Sequence, residues 1–419
     1  LASPSTTQLI NEFVAQYPHV RHVSYDMVSE SAALDAFQAE YGERALASYD
    51  FSKADVIVSV GADFIGDWQG GGYEGSYAKG RIPKKGKMSR HIQFEANMTL
   101  SGANADKRVP VTPSQQKQVL SALLGGSISG LPEEVAKAVT AARVQLVKAG
   151  SKGVIVTGIP EASAQAQVLR YNAASESEAF HPEKPIYTRS ANNTEVSAVM
   201  NGVISGQIKG LISVGVNPVY AFPEKAFAEA YKTLPLSVAF SLAKDETASL
   251  AQFVGAMPHY LESWGDAQLM KGHFALMQPT IRPLFKTQQF QDTLLSIMGN
   301  PSSYYDYLKS YWNANILQGS SWNNALHDGV YHAGVLLVGC EVHDHVGRGY
   351  ELFVGADDEA VLARVLPGLA LLTDGAVPEG IGHVEAAVAQ VESLVKPLGA
   401  TADNHDFLAA QFVHAVREL

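Results

Sequence analysis

SVAFSLAKDETASLAQFVGAMPHYLESWGDAQLMKGHFALMQPTIRP, residues 237–283, is the stretch that decides the fold. An apolar run leads into a polar turn at residues 244–247, a short helical run and a proline stop, an order that predicts a strand, a turn and a helix in succession. The next ten residues, HYLESWGDAQ, mix aromatic side chains, carboxylates and glycine without an amphipathic period. They are therefore expected to be irregular and to line a cleft or an interface.

A short apolar run followed by glycine and polar residues recurs along the chain. It occurs at residues 56–63, 154–158, 211–217, 336–339 and 352–357. Runs that are apolar on both faces fit the strands of a parallel sheet that is covered by helices. Helical segments with start and stop signals lie among these strands, at residues 112–125, 131–150, 193–206 and 222–235. The alternation of strand and helix predicts an α/β fold with open, mostly parallel sheets.

The length and two changes in composition set the expected domain organisation. A chain of 419 residues is long enough for two or three domains. The helical pattern gives way to Ser, Glu, His and Pro at residues 176–185, and a second break lies at residues 319–334. These breaks predict a first α/β unit at residues 1–185, a second at 186–332 and a small C-terminal unit of uncertain assignment at 333–419.

The charge and hydropathy of the chain exclude some classes of partner. The net charge is −11, with 31 basic and 42 acidic residues, which disfavours nucleic-acid binding because that binding needs a basic surface. No apolar run reaches the roughly 18 residues of a membrane helix, so no direct membrane span is expected. No charged-then-apolar leader is visible. The chain opens at Leu1 rather than Met, which indicates a processed form or an excised piece.

The single cysteine, Cys340, limits the metal chemistry of the chain. An iron–sulfur cluster usually takes four cysteine thiolates, so this chain is not expected to hold a cluster by itself or to form an internal disulfide. Cys340 begins the run CEVHDH, in which His343 and His345 add imidazole ligands that suit zinc or copper. No second ligand cluster is evident, and the simpler interpretation is a partly buried thiol beside surface histidines.

Polar side chains follow two of the predicted strands. Gly215 and Asn217 stand in a Gly-Val-Asn-Pro turn that could grip a nucleotide at the carboxyl edge of a sheet, or could be an ordinary strand-ending turn. Gly61 and Asp63 end another strand, and the carboxylate could bind a ribose or cap the next helix. The basic loop at residues 80–87 either docks a partner subunit or is solvated.

Four phrases carry a resemblance to a known family. They are SESAALDA at residues 29–36, GADFIGDW at 61–68, FEANMTLSG at 94–102 and YLESWGD at 260–266. Together with the strand, turn and helix of residues 237–258, they resemble the molybdopterin oxidoreductase superfamily. More narrowly, they are similar to the iron–sulfur subunit of bacterial alternative complex III, a quinol:cytochrome c oxidoreductase. The resemblance covers about residues 1–332, and residues 333–419 are not identified as part of that subunit.

The resemblance implies a fold of the molybdopterin oxidoreductase (DMSO reductase-like) type. It also implies a domain without a molybdenum cofactor, catalytic residue or metal ligand, on the periplasmic face of the bacterial inner membrane. Such a domain packs against the iron–sulfur domain of the same subunit and against other subunits of a membrane-bound respiratory complex. Departures from the superfamily pattern agree with this role, because Glu95, Ala96 and Asn97 stand where Asp, Pro and Arg are usual. The lost arginine weakens the binding of a pyrophosphate.

The same resemblance leaves an alternative open, an active oxidoreductase for a small oxyanion or a sulfur compound. It would hold a molybdenum bis-pterin guanine dinucleotide, with the nucleotide ends at the Gly215–Pro218 turn, which contains Asn217, and at the Asp245–Thr247 turn. Counting along the resemblance places the metal-ligating position at about Ser29. A hydroxyl that caps a helix at residues 30–39 is the competing interpretation of Ser29. Whether the chain is itself an enzyme therefore stays open.

Overall fold

A computed structural model describes residues 2–83 and 86–333, together with two short strands at 336–337 and 353–354. The helices are α1 (Pro4–Gln16), α2 (Ser31–Tyr41), α3 (Glu74–Gly80), α4 (Leu100–Ala103), α5 (Pro113–Leu123), α6 (Glu133–Ala149), α7 (Ala162–Ala174), α8 (Asn193–Ile204), α9 (Pro218–Ala221), α10 (Lys225–Lys232), α11 (Glu246–Leu250), α12 (Phe290–Ile297), α13 (Tyr304–Asn315) and α14 (Trp322–Asp328). The strands are β1 (Leu46–Tyr49), β2 (Val56–Val60), β3 (Arg90–Glu95), β4 (Lys107–Pro110), β5 (Gly153–Thr157), β6 (Phe180–Ile186), β7 (Gly210–Val214), β8 (Leu236–Ser241), β9 (Phe253–Ala256), β10 (Gly265–Met270), β11 (His273–Met277), β12 (Val330–His332), β13 (Leu336–Leu337) and β14 (Phe353–Val354).

The first parallel sheet has four strands in the order β4–β3–β2–β5. Successive side chains of β2 enter different cores because a strand turns alternate side chains to opposite faces. Ile57 packs in a core with Leu34 of α2, whereas Val58 packs in a core with Val119 of α5 and Val139 of α6. Both faces are thus covered by helices, which explains why the sequence of β2 is apolar throughout.

The second parallel sheet has three strands in the order β7–β8–β9. Helix α10 is buried through Phe227 and Tyr231, which form a small core beneath β7. Strand β8 contributes Val238 and Phe240 to a larger core that it shares with α12, α13 and α14. The strand, turn and helix expected within residues 237–258 are confirmed by β8 and α11. The strand β9, which lies between α11 and the proline at residue 258, was not expected.

A third, antiparallel sheet joins distant parts of the chain in the order β1–β6–β10–β11–β12. Strand β6 lies in the segment expected to separate the first two units, and the sheet draws strands from both sides of that segment. The division at residues 185/186 stays a prediction. The irregular structure expected for HYLESWGDAQ is wrong over its second half, because Gly265 and Asp266 begin β10 and are buried.

The N-terminal helix packs in a core, and two short strands follow residue 333. Helix α1 buries Leu9 and Phe13 in the core of the second unit. Strands β13 and β14 pair antiparallel where strands were expected at residues 336–339 and 352–357. The run from Cys340 to His345 and the rest of residues 338–419 lie outside the described residues. Among the helices of the described part, none is both long and apolar enough to cross a lipid bilayer.

Candidate functional site

A cleft of about 590 Å³ opens where β7 and β8 end, and it is called the sheet-edge cleft below. Its lining includes the turn at Gly215 and Asn217, the end of β8 at Ser241, and Asp245. Gly215 has a φ of +63°, a conformation that favours glycine. Its amide donates to the Phe240 carbonyl at 2.9 Å, which continues the sheet into the turn. The structure thus places three of the predicted site residues at one edge of the sheet.

Asn217 and Thr247 are joined by direct hydrogen bonds. Asn217 Oδ1 accepts from Thr247 Oγ1 at 2.8 Å and from the Thr247 amide at 3.2 Å. Asn217 Nδ2 donates to Glu246 Oε2 at 2.6 Å, and this bond lowers the pKa of the Glu246 carboxyl. Thr247 Oγ1 in turn accepts from the Val219 amide at 3.0 Å. The amide and the hydroxyl therefore connect two turns of the protein to each other.

The charges of the sheet-edge cleft come from two carboxylates and one guanidinium. Asp245 caps α11, because its Oδ1 accepts from the Ala248 amide at 2.7 Å. Asp26 Oδ2 accepts from the amides of Ser190 and Ala191, both at 2.8 Å. Arg189 is the one cation among the lining residues. A pyrophosphate needs cations and free N–H donors, so this set of groups fits a pterin dinucleotide poorly.

Gly61 and Asp63 follow β2, and neither belongs to the lining of the sheet-edge cleft. Gly61 has a φ of +74°. Asp63 Oδ1 accepts from the Ser101 amide at 2.8 Å, in the first turn of α4. The carboxylate thus bonds to a helix start, although to α4 and not to the next helix along the chain. Gly158 packs against this turn so closely that a Cβ on it would lie 2.3 Å from the Gly61 carbonyl oxygen.

Ser29 lies just before α2 and makes two hydrogen bonds. Its hydroxyl donates to Asn193 Oδ1 at 2.8 Å and accepts from the amide of Ser31, the first residue of α2, at 3.2 Å. The preceding residue, Val28, lines the sheet-edge cleft, whereas Ser29 does not. Within the described residues, no group of three or more His, Cys, Asp or Glu side chains is placed to hold a metal ion.

Strand β3 carries a row of buried polar side chains that was not predicted from the sequence. His91, Gln93 and Glu95 alternate along the strand and all are buried. His91 bonds to Gln93 Oε1 at 3.0 Å and to Tyr77 OH at 3.2 Å, and Gln93 donates to Glu95 Oε2 at 3.2 Å. The signal was present as a polar residue at every second position of RHIQFE. The row ends in an ion pair of 2.6 Å between Glu95 and Arg108.

Glu95 organises the loop in which the sequence departs from the superfamily pattern. Its Oε2 accepts from Thr99 Oγ1 at 2.7 Å and its Oε1 accepts from the Thr99 amide at 3.3 Å. Asn97, at the position where an arginine is usual, is exposed to solvent. The carboxylate therefore holds the loop at residues 96–102 against β3.

In the basic loop that was considered for docking, Arg81 pairs with Asp106 through bonds of 2.7 and 2.8 Å, and residues 84–85 lie outside the described part.

The buried His91 gives a testable pH dependence. Burial lowers the pKa of His91 to about 4, whereas an unfolded histidine has a pKa of about 6.5. Between these values the unfolded chain binds more protons, so the free energy of unfolding falls as the pH falls. We expect a loss of about 2 kcal/mol between pH 7 and pH 5 from this residue alone. Urea unfolding of the native protein and of His91→Gln at both pH values measures it, and an equal pH dependence of the two would contradict the expectation.

Comparison with known proteins shows the fold. No protein-family model matches the chain, and no curated protein sequence matches it. The structure is similar to acetylene hydratase from Pelobacter acetylenicus, with a TM-score of 0.56 and 13% sequence identity over 79% of this chain. The chain spans 59% of the length of that protein. A second similarity, with a TM-score of 0.43 and 14% identity, is to the formyltransferase/hydrolase complex of Methylorubrum extorquens, and it covers 70% of this chain and 89% of that chain. The first of these two similarities confirms the α/β fold of the molybdopterin oxidoreductase type.

Proposed function

We propose that this chain, whose fold is of the molybdopterin oxidoreductase type, is a cofactor-free scaffold domain. It belongs to the iron–sulfur subunit of a respiratory quinol:cytochrome c oxidoreductase at the periplasmic face of the bacterial inner membrane. Electrons pass through clusters in the neighbouring iron–sulfur domain, and this domain positions that part and the partner subunits. One observation carries the proposal: the polar side chains at both strand-end sites are bonded to protein groups.

The bonding of these side chains disfavours a large anionic cofactor. Asp63, Asn217 and Thr247 already use part of their hydrogen-bonding capacity on protein groups, so a ligand that takes over these positions replaces existing bonds. A buried group that loses its partner costs about 1–3 kcal/mol, and each new contact to the ligand must offset that loss. Since Asp26 and Asp245 also face the sheet-edge cleft, a pyrophosphate there meets two negative charges.

The surface around the sheet-edge cleft suits a protein partner. Met27, Tyr220 and Leu242 are 75%, 65% and 64% exposed, and Met27 and Leu242 line the cleft itself. A cluster of exposed large apolar side chains around a concave surface is typical of interaction sites. The scaffold role gives this surface an occupant, a partner subunit of the same complex.

A second candidate function is an active bis-molybdopterin oxidoreductase for a small oxyanion or a sulfur compound. The position of the sheet-edge cleft favours it, because ligands of open α/β sheets bind beyond the carboxyl ends of the strands. The turn at Gly215, the cap at Asp245 and the cation of Arg189 would then contact the dinucleotide. Ser29 would be the nearest candidate for a metal ligand by sequence position.

Metal and pterin analysis of the complex purified from its native source decides between the two. We expect iron in stoichiometric amounts, molybdenum and tungsten far below one atom per chain, and no fluorescent pterin after oxidation. The iron serves as the internal control, because it shows that the cluster-bearing part survived purification. One molybdenum or tungsten per chain together with pterin would contradict the scaffold role and would make Ser29→Ala the first variant to assay.

A further inference from the structure

A second cleft, called the N-helix cleft below, lies between α1 and the segment that follows β6. It has a volume of about 310 Å³. Arg44 and Arg189 contribute two guanidinium groups to its lining, and none of the lining residues carries a carboxylate. The protein as a whole has a net charge of −11. A cleft lined by two cations without an acid is therefore a local exception to the charge of the molecule.

Arg44 is held in place by the protein and keeps one donor without an acceptor. One terminal nitrogen donates to the Ala191 carbonyl at 2.7 Å, and the other pairs with Asp35. Its Nε is buried and has no hydrogen-bond partner among the described residues. Because native proteins rarely leave a buried N–H without an acceptor, this atom is unused hydrogen-bonding capacity in a residue that lines the cleft.

Arg189 is less constrained than Arg44. Its side chain donates one bond, to the Thr188 carbonyl at 3.2 Å, and the Glu30 carboxyl interacts with it electrostatically without forming an ion pair in the part of the chain that the structure describes. It lines both the N-helix cleft and the sheet-edge cleft, where Asp26 and Asp245 also lie. An unpaired guanidinium with planar donors is suited to a carboxylate or a phosphate.

The carboxylates near the N-helix cleft already have partners of their own. Glu43 accepts from Tyr187 OH at 2.5 Å and from Lys271 Nζ at 3.1 Å. Glu12 accepts from Gln8 Nε2 and from Tyr307 OH, both at 3.0 Å. These bonds satisfy the two acids outside the cleft, so neither of them pairs with Arg189.

We propose that the N-helix cleft binds a small organic oxyanion, a carboxylate or a phosphate monoester. The guanidinium groups of Arg44 and Arg189 bind the anion, and the amide groups of Gln8, Asn11 and Gln268 offer donors and acceptors to the remainder of the ligand. Pockets of about 300 Å³ are at the small end of those that hold ligands. This site does not depend on the scaffold role, since it stands whether or not a pterin is bound elsewhere.

Titration calorimetry of the full-length chain at constant ionic strength tests the site. The probes are inorganic phosphate and succinate, and succinamide is the uncharged control. We expect saturable heat from at least one anion and none from succinamide. The anion with the higher affinity identifies the ligand class, phosphate or carboxylate. No saturable heat at about 10 mM of either anion, or equal binding of succinamide, would overturn the proposal.

Four variants locate the bound anion. Arg189→Gln is expected to weaken binding at least about tenfold because it removes a charge-assisted contact, and its single lost bond to Thr188 leaves the fold intact. Asn11→Ala, on the exposed surface of α1, is expected to weaken binding by about threefold. Arg170→Gln is the matched control, since Arg170 is exposed and pairs with Glu40 away from the cleft. Ser241→Ala is the control for the sheet-edge cleft.

The pattern over these variants decides the result. Weaker binding in Arg189→Gln and in Asn11→Ala, with unchanged binding in the two controls, supports the N-helix cleft. Weaker binding in Arg189→Gln and in Ser241→Ala, with Asn11→Ala unchanged, would place the anion in the sheet-edge cleft and overturn the proposal. Unchanged affinity in Arg189→Gln would overturn it as well.

Discussion

Replacing Asp266 with alanine is expected to lower the free energy of unfolding by about 4 kcal/mol. Asp266 is 1% exposed and accepts from Ser3 Oγ at 2.5 Å, Ser5 Oγ at 2.7 Å and Trp312 Nε1 at 2.9 Å. These donors belong to or adjoin α1 and α13, so one carboxylate on β10 joins three elements. Its removal leaves the buried Ser5 amide and Trp312 Nε1 without their acceptor, and each such loss costs about 1–3 kcal/mol.

The Asp266 prediction is measured by urea unfolding at pH 7, followed by far-UV circular dichroism. Asp328→Ala is the matched control, because Asp328 is 61% exposed and its one ion pair among the described residues is with the neighbouring His327; we expect a change below about 0.5 kcal/mol. Asp266→Asn keeps the shape of the side chain and one acceptor oxygen. Its decrease in the free energy of unfolding should therefore lie between those of the two alanine variants. A loss in Asp266→Ala no larger than that of the control would contradict the role of the carboxylate.

Replacing Gly158 with alanine is expected to cost about 3 kcal/mol, because overpacking against rigid atoms costs 1–3 kcal/mol or more. Its Cβ would lie 2.3 Å from the carbonyl oxygen and 2.7 Å from the carbonyl carbon of Gly61. Both are backbone atoms of the turn after β2, so no side chain can rotate away. The turn must move instead, and with it Asp63 and its bond to Ser101.

Gly75→Ala is the matched control for Gly158→Ala. Gly75 lies in α3, and a Cβ there meets no atom within 4 Å. We expect this variant to be as stable as the native protein or more stable by about 0.5–1 kcal/mol, because alanine lowers the entropy of the unfolded chain. Thermal and urea unfolding of both variants give the comparison. Equal stability of the two would mean that the close approach of Gly158 to Gly61 does not exist in solution.

The local patterns of the sequence predicted the parallel sheets well. Strand β2 occupies Val56–Val60 as the apolar run indicated. The Thr112 and Pro113 start signal gives α5 with a complete capping box, in which Thr112 Oγ1 and the Gln115 side chain bond to each other's amides. Asn217 and Thr247, chosen separately, contact each other. For β2 and α5 the deciding information lies within a few residues of the element.

The sequence predicted less where distant residues decide the structure. The start of β10 was predicted to be irregular because a carboxylate such as Asp266 usually indicates an exposed position. In the structure Asp266 is buried, and donors from α1 and α13 bond to its carboxylate. His91 and Gln93 are likewise buried although they are polar, because each forms a hydrogen bond with a neighbour in the row on β3. The pairing of β1 with β6 and of β11 with β12 depends on tertiary packing, which no local period records.

The contacts of α1 have a consequence for biosynthesis. Ser5 and Tyr304 share a hydrogen bond although 299 positions separate them in the chain, and Glu12 and Tyr307 are 295 apart. A ribosome adds about 5–20 residues per second, so α1 leaves the tunnel tens of seconds before its partners exist. During that interval Leu9 and Phe13 have no core to enter. The apolar side chains of α1 therefore stay without this core until the residues of α13 and α14 have been made.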